Sequence, residues 1–276
     1  MVRPLEGNPH TIDNKILQYW ESQAQKLGTD PRATTQDFWL RKIEIRVISS
    51  ILEFLGDHLH VLDVGCGNGY SILELVRAHN THRFVGVDFS GNMIGNARHA
   101  ADSLPEDLKK RTEFKQASVL DLAAFKNLFD VVISDRCLIN LSCKKEQWRG
   151  LCEIRRALKP QGHAIVIENF KRAHENMNKV RNTLGLPAIP IRWHNLYFDE
   201  EEFLEMCSQL FEVRKVVPIS STYYLITRIV YSKLCQLEGR EPDYDHKVYE
   251  VASQLPFVGD FGPIKLHLLK KSHNNY

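Results

Sequence analysis

The sequence predicts an α/β fold with a mostly parallel sheet, and three observations carry that expectation. From about residue 58, short apolar runs alternate with helical patterns, the signature of strand–helix–strand crossovers. The first run, VLDVGCGNGY (61–70), ends in a loop with three glycines in five residues. Seven strand-like segments can be counted in all.

Strands are expected at 60–64, 83–88, 113–117, 130–134 and 163–167. Helices are expected at roughly 70–78, 91–103, 121–127, 144–157 and 199–210. FEVRKVV (211–217) suits a sixth strand, and IKLHLLKK (264–271) a seventh, with Ile264, Leu266 and Leu268 alternating. Three segments remain. Residues 1–46 form an N-terminal helical cap in pieces, broken at Pro31. The main domain, 47–276, carries two inserts: a long polar one at 171–197, and 220–262. In the second insert Ile226, Ile229, Val230, Leu234 and Leu237 recur at helical spacing after Ser220 and Ser221, and Gly239 and Pro242 stop the helix.

Composition narrows the class. A chain of 276 residues, 43% hydrophobic, can bury one good core in one or two domains. A formal charge of +2 gives no global sign of a nucleic acid or membrane partner. The start, MVRPLEGNPH, has no apolar leader core, and no stretch has the length of a membrane span. Cys66, Cys137, Cys143, Cys152, Cys207 and Cys235 are scattered, without CxxC pairs or metal-like spacing. They fit small buried residues of a reducing compartment, so a cytoplasmic protein without a metal site is expected.

The glycine loop identifies the ligand class. Gly65, Gly67 and Gly69 follow a strand and lead into a helix, where bare backbone allows a tight turn and close ligand approach. Dinucleotide loops need GxGxxG, and the spacing here is GxGxG. Asp63 would repel a pyrophosphate and attract an ammonium or sulfonium. Asp88 ends the next strand, where an acid takes ribose hydroxyls, and Phe89 follows it. A cationic adenosine ligand satisfies all four features, and S-adenosyl-L-methionine is such a ligand.

The strings VLDVGCGNG, VGVDFS, FDVVISD (129–135) and LKPQG (158–162) resemble, in order and spacing, the Rossmann-like (class I) S-adenosylmethionine-dependent methyltransferases over residues 58–170. The resemblance implies a seven-stranded Rossmann-like methyltransferase sheet with helices on both faces and helical cap or lid insertions. It also implies that Gly65, Cys66, Gly67, Asn68 and Gly69 wrap the methionine part of the cofactor, with Asp63 near its amino group. Asp88 would grip the ribose, Phe89 would flank the adenine, Ser118 and Val119 would border it, and Ser134 and Asp135 would line the floor. RCLINL (136–141), the RNTLGLPAIP–WHNLYF insert, SSTYYL (220–225) and LPFVGDFGPIKL (255–266) further resemble bacterial methyltransferases of surface-polysaccharide and sugar modification.

A methyl acceptor must be aligned, kept from water and sometimes deprotonated. Residues 171–195 hold five basic residues (Lys171, Arg172, Lys179, Arg181, Arg192) against one acid, Glu175. That excess suggests a small anionic or glycan-linked acceptor, although a solvated polar loop would read the same way. Trp193-His194-Asn195 combines an apolar plate, a titratable ring and an amide. His194 is the candidate base or substrate ligand, with Glu168 as competitor. Candidate substrate contacts are Arg136, Arg181, Trp193, Asn195, Tyr223, Tyr224, Arg228 and Trp20; Asp37 could help Trp20 close the other side of the site.

RNA or protein methylation is the competing activity. The Asn/Asp-Pro-Pro-aromatic signature of amine methylators is absent after the fourth strand, which continues Asp135-Arg136-Cys137-Leu138. No basic and aromatic stripe favours a nucleic acid. A non-catalytic cofactor-binding subunit is the reading from another class. The sequence leaves the oligomeric state open.

Overall fold

The computed structural model describes residues 9–272, with side chains from residue 13, so residues 1–8 of the expected cap lie outside the described residues. Helix α1 (Pro9–Leu27), a single turn at Pro31–Ala33 and α2 (Phe38–Leu55) precede β1 (His60–Val64). There follow α3 (Tyr70–Ala78), β2 (Arg83–Asp88), α4 (Gly91–Asp102), α5 (Glu106–Lys109), β3 (Thr112–Gln116) and β4 (Phe129–Asp135). The chain continues through α6 (Lys144–Ala157), β5 (Leu158–Asn169), α7 (Lys171–Thr183), α8 (Glu200–Leu210) and β6 (Phe211–Val217). It ends with α9 (Ser221–Tyr224), α10 (Tyr231–Leu237), α11 (Lys247–Ser253) and β7 (Ile264–Lys271).

The strands lie in the order β3-β2-β1-β4-β5-β7-β6, and only β7 runs antiparallel to its neighbours. All seven expected strands are present. Alternate residues face opposite layers. Val61, Phe84, Val131 and Ile165 pack under α2, α3 and α4, whereas Leu62, Val85, Val132 and Val166 pack against α6 and α8. Strand order reverses between β1 and β4, which opens a crevice beyond their carboxyl ends. Ligands of open α/β sheets bind there.

Four expectations need correction. The division at 46/47 cuts through the middle of α2, whose Leu40, Ile43, Ile48 and Leu52 all belong to one core on the sheet. The helix expected at 121–127 is reduced to one turn, Ala123–Phe125, because Asn127 takes a left-handed φ of 56° and ends it. The polar insert is half helix: α7 buries Ala173, His174, Met177 and Arg181 and turns its other side chains outward. The segment after Ser220 is helical as expected, but residues Leu225–Val230 form a π turn between α9 and α10. Such a turn widens the helix and frees a carbonyl; Arg181 donates to that of Arg228. Together with α11, which the sequence did not reveal, this insert packs on α2 through Tyr223, Tyr231, Tyr249 and Ala252. It does not cover the crevice. Helix α1 does.

Candidate active site

A cavity of about 320 Å³ lies at the carboxyl ends of β1, β2 and β4, a size suited to a cofactor or small molecule. Asp63, Gly65, Cys66, Gly67, Asn68, Asp88, Phe89, Ser118, Val119 and Asp135 line it, as the resemblance implies.

The glycine loop is shaped for close approach and closed to phosphate. Gly65 has φ +74°, and a Cβ there would sit 2.6 Å from Cys137 Sγ. A phosphate cradle needs free backbone N–H groups. Here Gly65 and Cys66 both donate to Val87 O at 2.8 and 3.0 Å, and Gly69 donates to Cys66 O at 3.1 Å. Gly67 N donates to Asp88 Oδ2 at 2.9 Å. Four of the five loop amides are therefore engaged, and only Asn68 N is left to donate. Gly69 itself stands outside the cavity wall: as N-cap of α3 with φ +78°, it lets Ala97 and Phe114 pack against it.

Two buried acids face this surface. Asp88 also accepts from Ser90 N at 2.9 Å, so it fixes the loop. Burial pushes its carboxyl up to about 6. Asp63 is 5% exposed, and burial, with the charges of Asp135 and Asp88 opposed by Arg41, pushes it up to about 8. None of the described residues donates a hydrogen bond to it. A buried carboxylate without a partner is costly, and a cation in the cavity would remove that cost. This is the test the site passes for a sulfonium and ammonium ligand. Asp88→Ala should weaken cofactor affinity at least tenfold, about 1.4 kcal/mol, through lost ribose contacts and a loosened Gly67. Calorimetry checks this, and an unchanged affinity would remove Asp88 from the site.

Helix α2 contributes residues that the sequence reading missed. Arg41, lining the cavity, donates to Asp135 Oδ2 at 2.7 Å and to Thr34 Oγ1 at 2.9 Å. Glu44, fully buried, lies beside both Arg41 and Arg136. The signal was available: Arg41 and Glu44 are charges at i,i+3 inside an otherwise apolar stripe. Burial pushes Glu44 up to about 7, against the two guanidiniums beside it. Arg136, foreseen as an anion clamp, reaches the cavity, but Glu44 already engages it at 2.9–3.1 Å.

The side of the cavity facing the glycine loop is built by α1 and the segment after α7. Ile16, Leu17 and Trp20 line it from α1, with Ile139, Asn140, Arg192, His194 and Asn195 opposite. Trp20 Nε1 donates to Asn140 Oδ1 at 3.3 Å. Leu196 N donates to Ile139 O at 2.6 Å, and Gln147 Nε2 to Leu196 O at 2.8 Å, fixing the His194 segment to the turn after β4. His194 stacks on Tyr19 with centroids 4.6 Å apart. Burial, with the charge of Arg192, lowers its pKa to about 4. It is a neutral wall, too weak a base to deprotonate an alcohol.

Several expected site residues lie elsewhere. Glu168 is sealed from the cavity and accepts from Ser134 Oγ, Leu138 N and Ile139 N at 3.1, 2.8 and 3.2 Å, so it shapes the turn after β4 and is no base. Ser134 is accordingly buried against Glu168 and not on the floor. Arg181 spends its guanidinium on the Pro187 and Arg228 carbonyls. Arg228 pairs with Asp37, which also accepts from Tyr223 Oη, and lies over the ring of Tyr224, away from the cavity. Trp193 is half exposed and meets Tyr19 edge-on outside the wall. Of the five basic residues in the insert, only Arg192 reaches the cavity.

Comparison with known proteins agrees with this geometry. Residues 55–212 match the family described as "Methyltransferase domain". The probable methyltransferase ltbC of Aspergillus luteorubrus is 32% identical over 115 residues, 41% of this chain and 40% of its own. The O-methyltransferase resE of Aspergillus sclerotiorum is 21% identical over 250 residues, 88% of this chain and 84% of its own. The chain thus spans less than half of the first relative's length and most of the second's. A SAM-dependent methyltransferase structure from Methanosarcina mazei shares the fold, with a TM-score of 0.51, 19% identity, and coverage of 80% of this chain and 96% of that one. The chain belongs to the methyltransferase-domain family. Its cofactor is S-adenosyl-L-methionine.

Proposed function

We propose that the protein transfers a methyl group from S-adenosyl-L-methionine to an oxygen of a small acceptor; a nitrogen acceptor is the second choice. The observation that carries this reading is a single cavity with two unlike walls. One wall has the glycine loop, Asp63 and Asp88; the other has Trp20, Ile139, Arg192, His194 and Asn195. The cofactor supplies a methyl carbon made electrophilic by its sulfonium. Asp63 would hold the positive methionine end, Asp88 the ribose, and Phe89, Ser118 and Val119 the adenine. Helix α1 would exclude water from the acceptor. The likeness to resE over most of the chain supports oxygen as the acceptor atom. Anionic and glycan-linked small molecules are the proposed acceptors; Arg192, exposed and without an ion-pair partner among the described residues, supports a negative charge. Six cysteines, all free thiols, support a reducing, cytoplasmic setting. No helix among the described residues is long and apolar enough to cross a membrane.

Incubation with methyl-labelled cofactor and fractionated cell extract tests this. Label retained in the small-molecule or glycan fraction is expected. Label in RNA or protein would overturn the small-acceptor reading, and no transfer despite cofactor binding would leave a non-catalytic binding subunit.

The reading also fixes a pH dependence. A cation favours ionised Asp63, whose carboxyl lies at about 8 in the empty site. Below that value binding must expel a proton, so cofactor affinity should rise from pH 6 to 7.5. Titrations at pH 7 in two buffers of different ionisation heat should show proton release; proton uptake would contradict the assignment.

A further inference from the structure

We infer that the acceptor is a carboxylic acid on an apolar body and that the product is its methyl ester; this rests on the methyltransferase reading above. Three observations on the acceptor wall point to it. First, three arginines line the cavity, and two are already paired, Arg41 with Asp135 and Arg136 with Glu44. Arg192 has no carboxylate within ion-pair distance among the described residues. A guanidinium is a fork suited to a carboxylate. Second, apolar groups supply part of the lining, Ile16, Leu17, Trp20 and Ile139 with the His194 ring, alongside the amides of Asn14 and Asn140 and the carboxylates of Asp13 and Glu146. His194 is 6% exposed, with Nδ1 buried and unpartnered.

Third, neither group foreseen as a base serves a hydroxyl, and Glu146, which also lines the cavity, already accepts from Ser142 N and Oγ. His194 is held at about 4 by burial and by Arg192, and Glu168 is sealed off among three donors. A protonated amine would also need a base, and Arg192 would repel it. A carboxylate needs no base. Its oxygen attacks the methyl carbon, the carbon–sulfur bond breaks with its electron pair going to sulfur, and no proton moves. An anion and a sulfonium become a neutral ester and a neutral thioether, so the step neutralises charge. Arg192 and the Asn195 amide hold and orient the acid, and Leu196, bonded to Ile139, keeps that segment in place.

The test compares benzoate with benzamide, equal in shape and different in charge, on protein saturated with S-adenosylhomocysteine. Calorimetry should find benzoate bound at least ten times more tightly, and Arg192→Gln should abolish the difference while leaving S-adenosylhomocysteine affinity unchanged. Equal binding of the two probes, or binding of neither, overturns the inference. Loss of S-adenosylhomocysteine affinity in Arg192→Gln would also overturn it, by assigning Arg192 to the cofactor. Wild-type protein that cannot bind S-adenosylhomocysteine would instead bring down the cofactor reading itself. In the labelling experiment, mild alkali should release the label as volatile methanol. Alkali-stable label would leave methyl transfer standing and remove the ester.

Discussion

Asp63→Asn should lower cofactor affinity by about a hundredfold, roughly 2.7 kcal/mol, and should raise the melting temperature of the empty protein. Both effects have one cause. Asp63 is buried, receives no hydrogen bond from the described residues, and has Asp135 and Asp88 as like-charged neighbours. In the empty protein its ionised form is a liability, so a neutral amide relieves strain in the charge balance. With a cation bound, the same carboxylate becomes the counter-charge and its loss is felt in full. Calorimetry and thermal unfolding on one preparation separate the two. An amide variant that binds the cofactor normally would make Asp63 a packing residue.

Arg41→Gln carries the largest expected stability effect. It would leave Asp135 without its 2.7 Å partner and Glu44 with Arg136 alone, all at the base of the cavity. Breaking a buried ion pair on one side costs about 3–5 kcal/mol, which corresponds to a fall of roughly 10 °C in melting temperature. Asp135 would keep only Arg136, at 3.7 Å, so adding Asp135→Asn removes a poorly paired charge and should restore part of the loss, with a coupling of about 1 kcal/mol or more. Independent, additive effects of the two substitutions would show that the network is not a unit.

Much of this was legible in the sequence because short-range rules governed it. The seven strands are continuous apolar runs bounded by turns, and β1, β2, β6 and β7 begin and end at the expected residues. The cofactor wall was legible for the same reason: Asp63, the glycine loop, Asp88 and Phe89 are fixed by strand ends, and a strand end is local. The acceptor wall was only half legible. His194 and Asn195 reach it, yet Arg181 and Arg228 do not, because their direction depends on a π turn and on Asp37, 191 residues away in sequence from Arg228. Charge counts along α7 likewise gave no clue that its basic residues face away. Which segment covers the crevice was not legible for a related reason. Both α1 and the 220–262 insert are amphipathic, and only tertiary packing decides which one lies over the crevice. Glu168 shows the limit for single residues: a carboxylate at a strand end can serve chemistry, or it can cap the next turn, and its three donors settle the matter.

The central claim is that the cavity binds a cationic adenosine ligand because most of its loop amides are engaged while Asp63 receives no hydrogen bond from the described residues. The most direct measurement is a calorimetric comparison of S-adenosyl-L-methionine with NAD on the wild-type chain. Saturable binding of one S-adenosyl-L-methionine per chain, with no measurable binding of NAD, is the predicted result. NAD binding as tightly as S-adenosyl-L-methionine would contradict the account, since four of the five loop amides are engaged and Asp63 at the foot of the loop would repel a pyrophosphate.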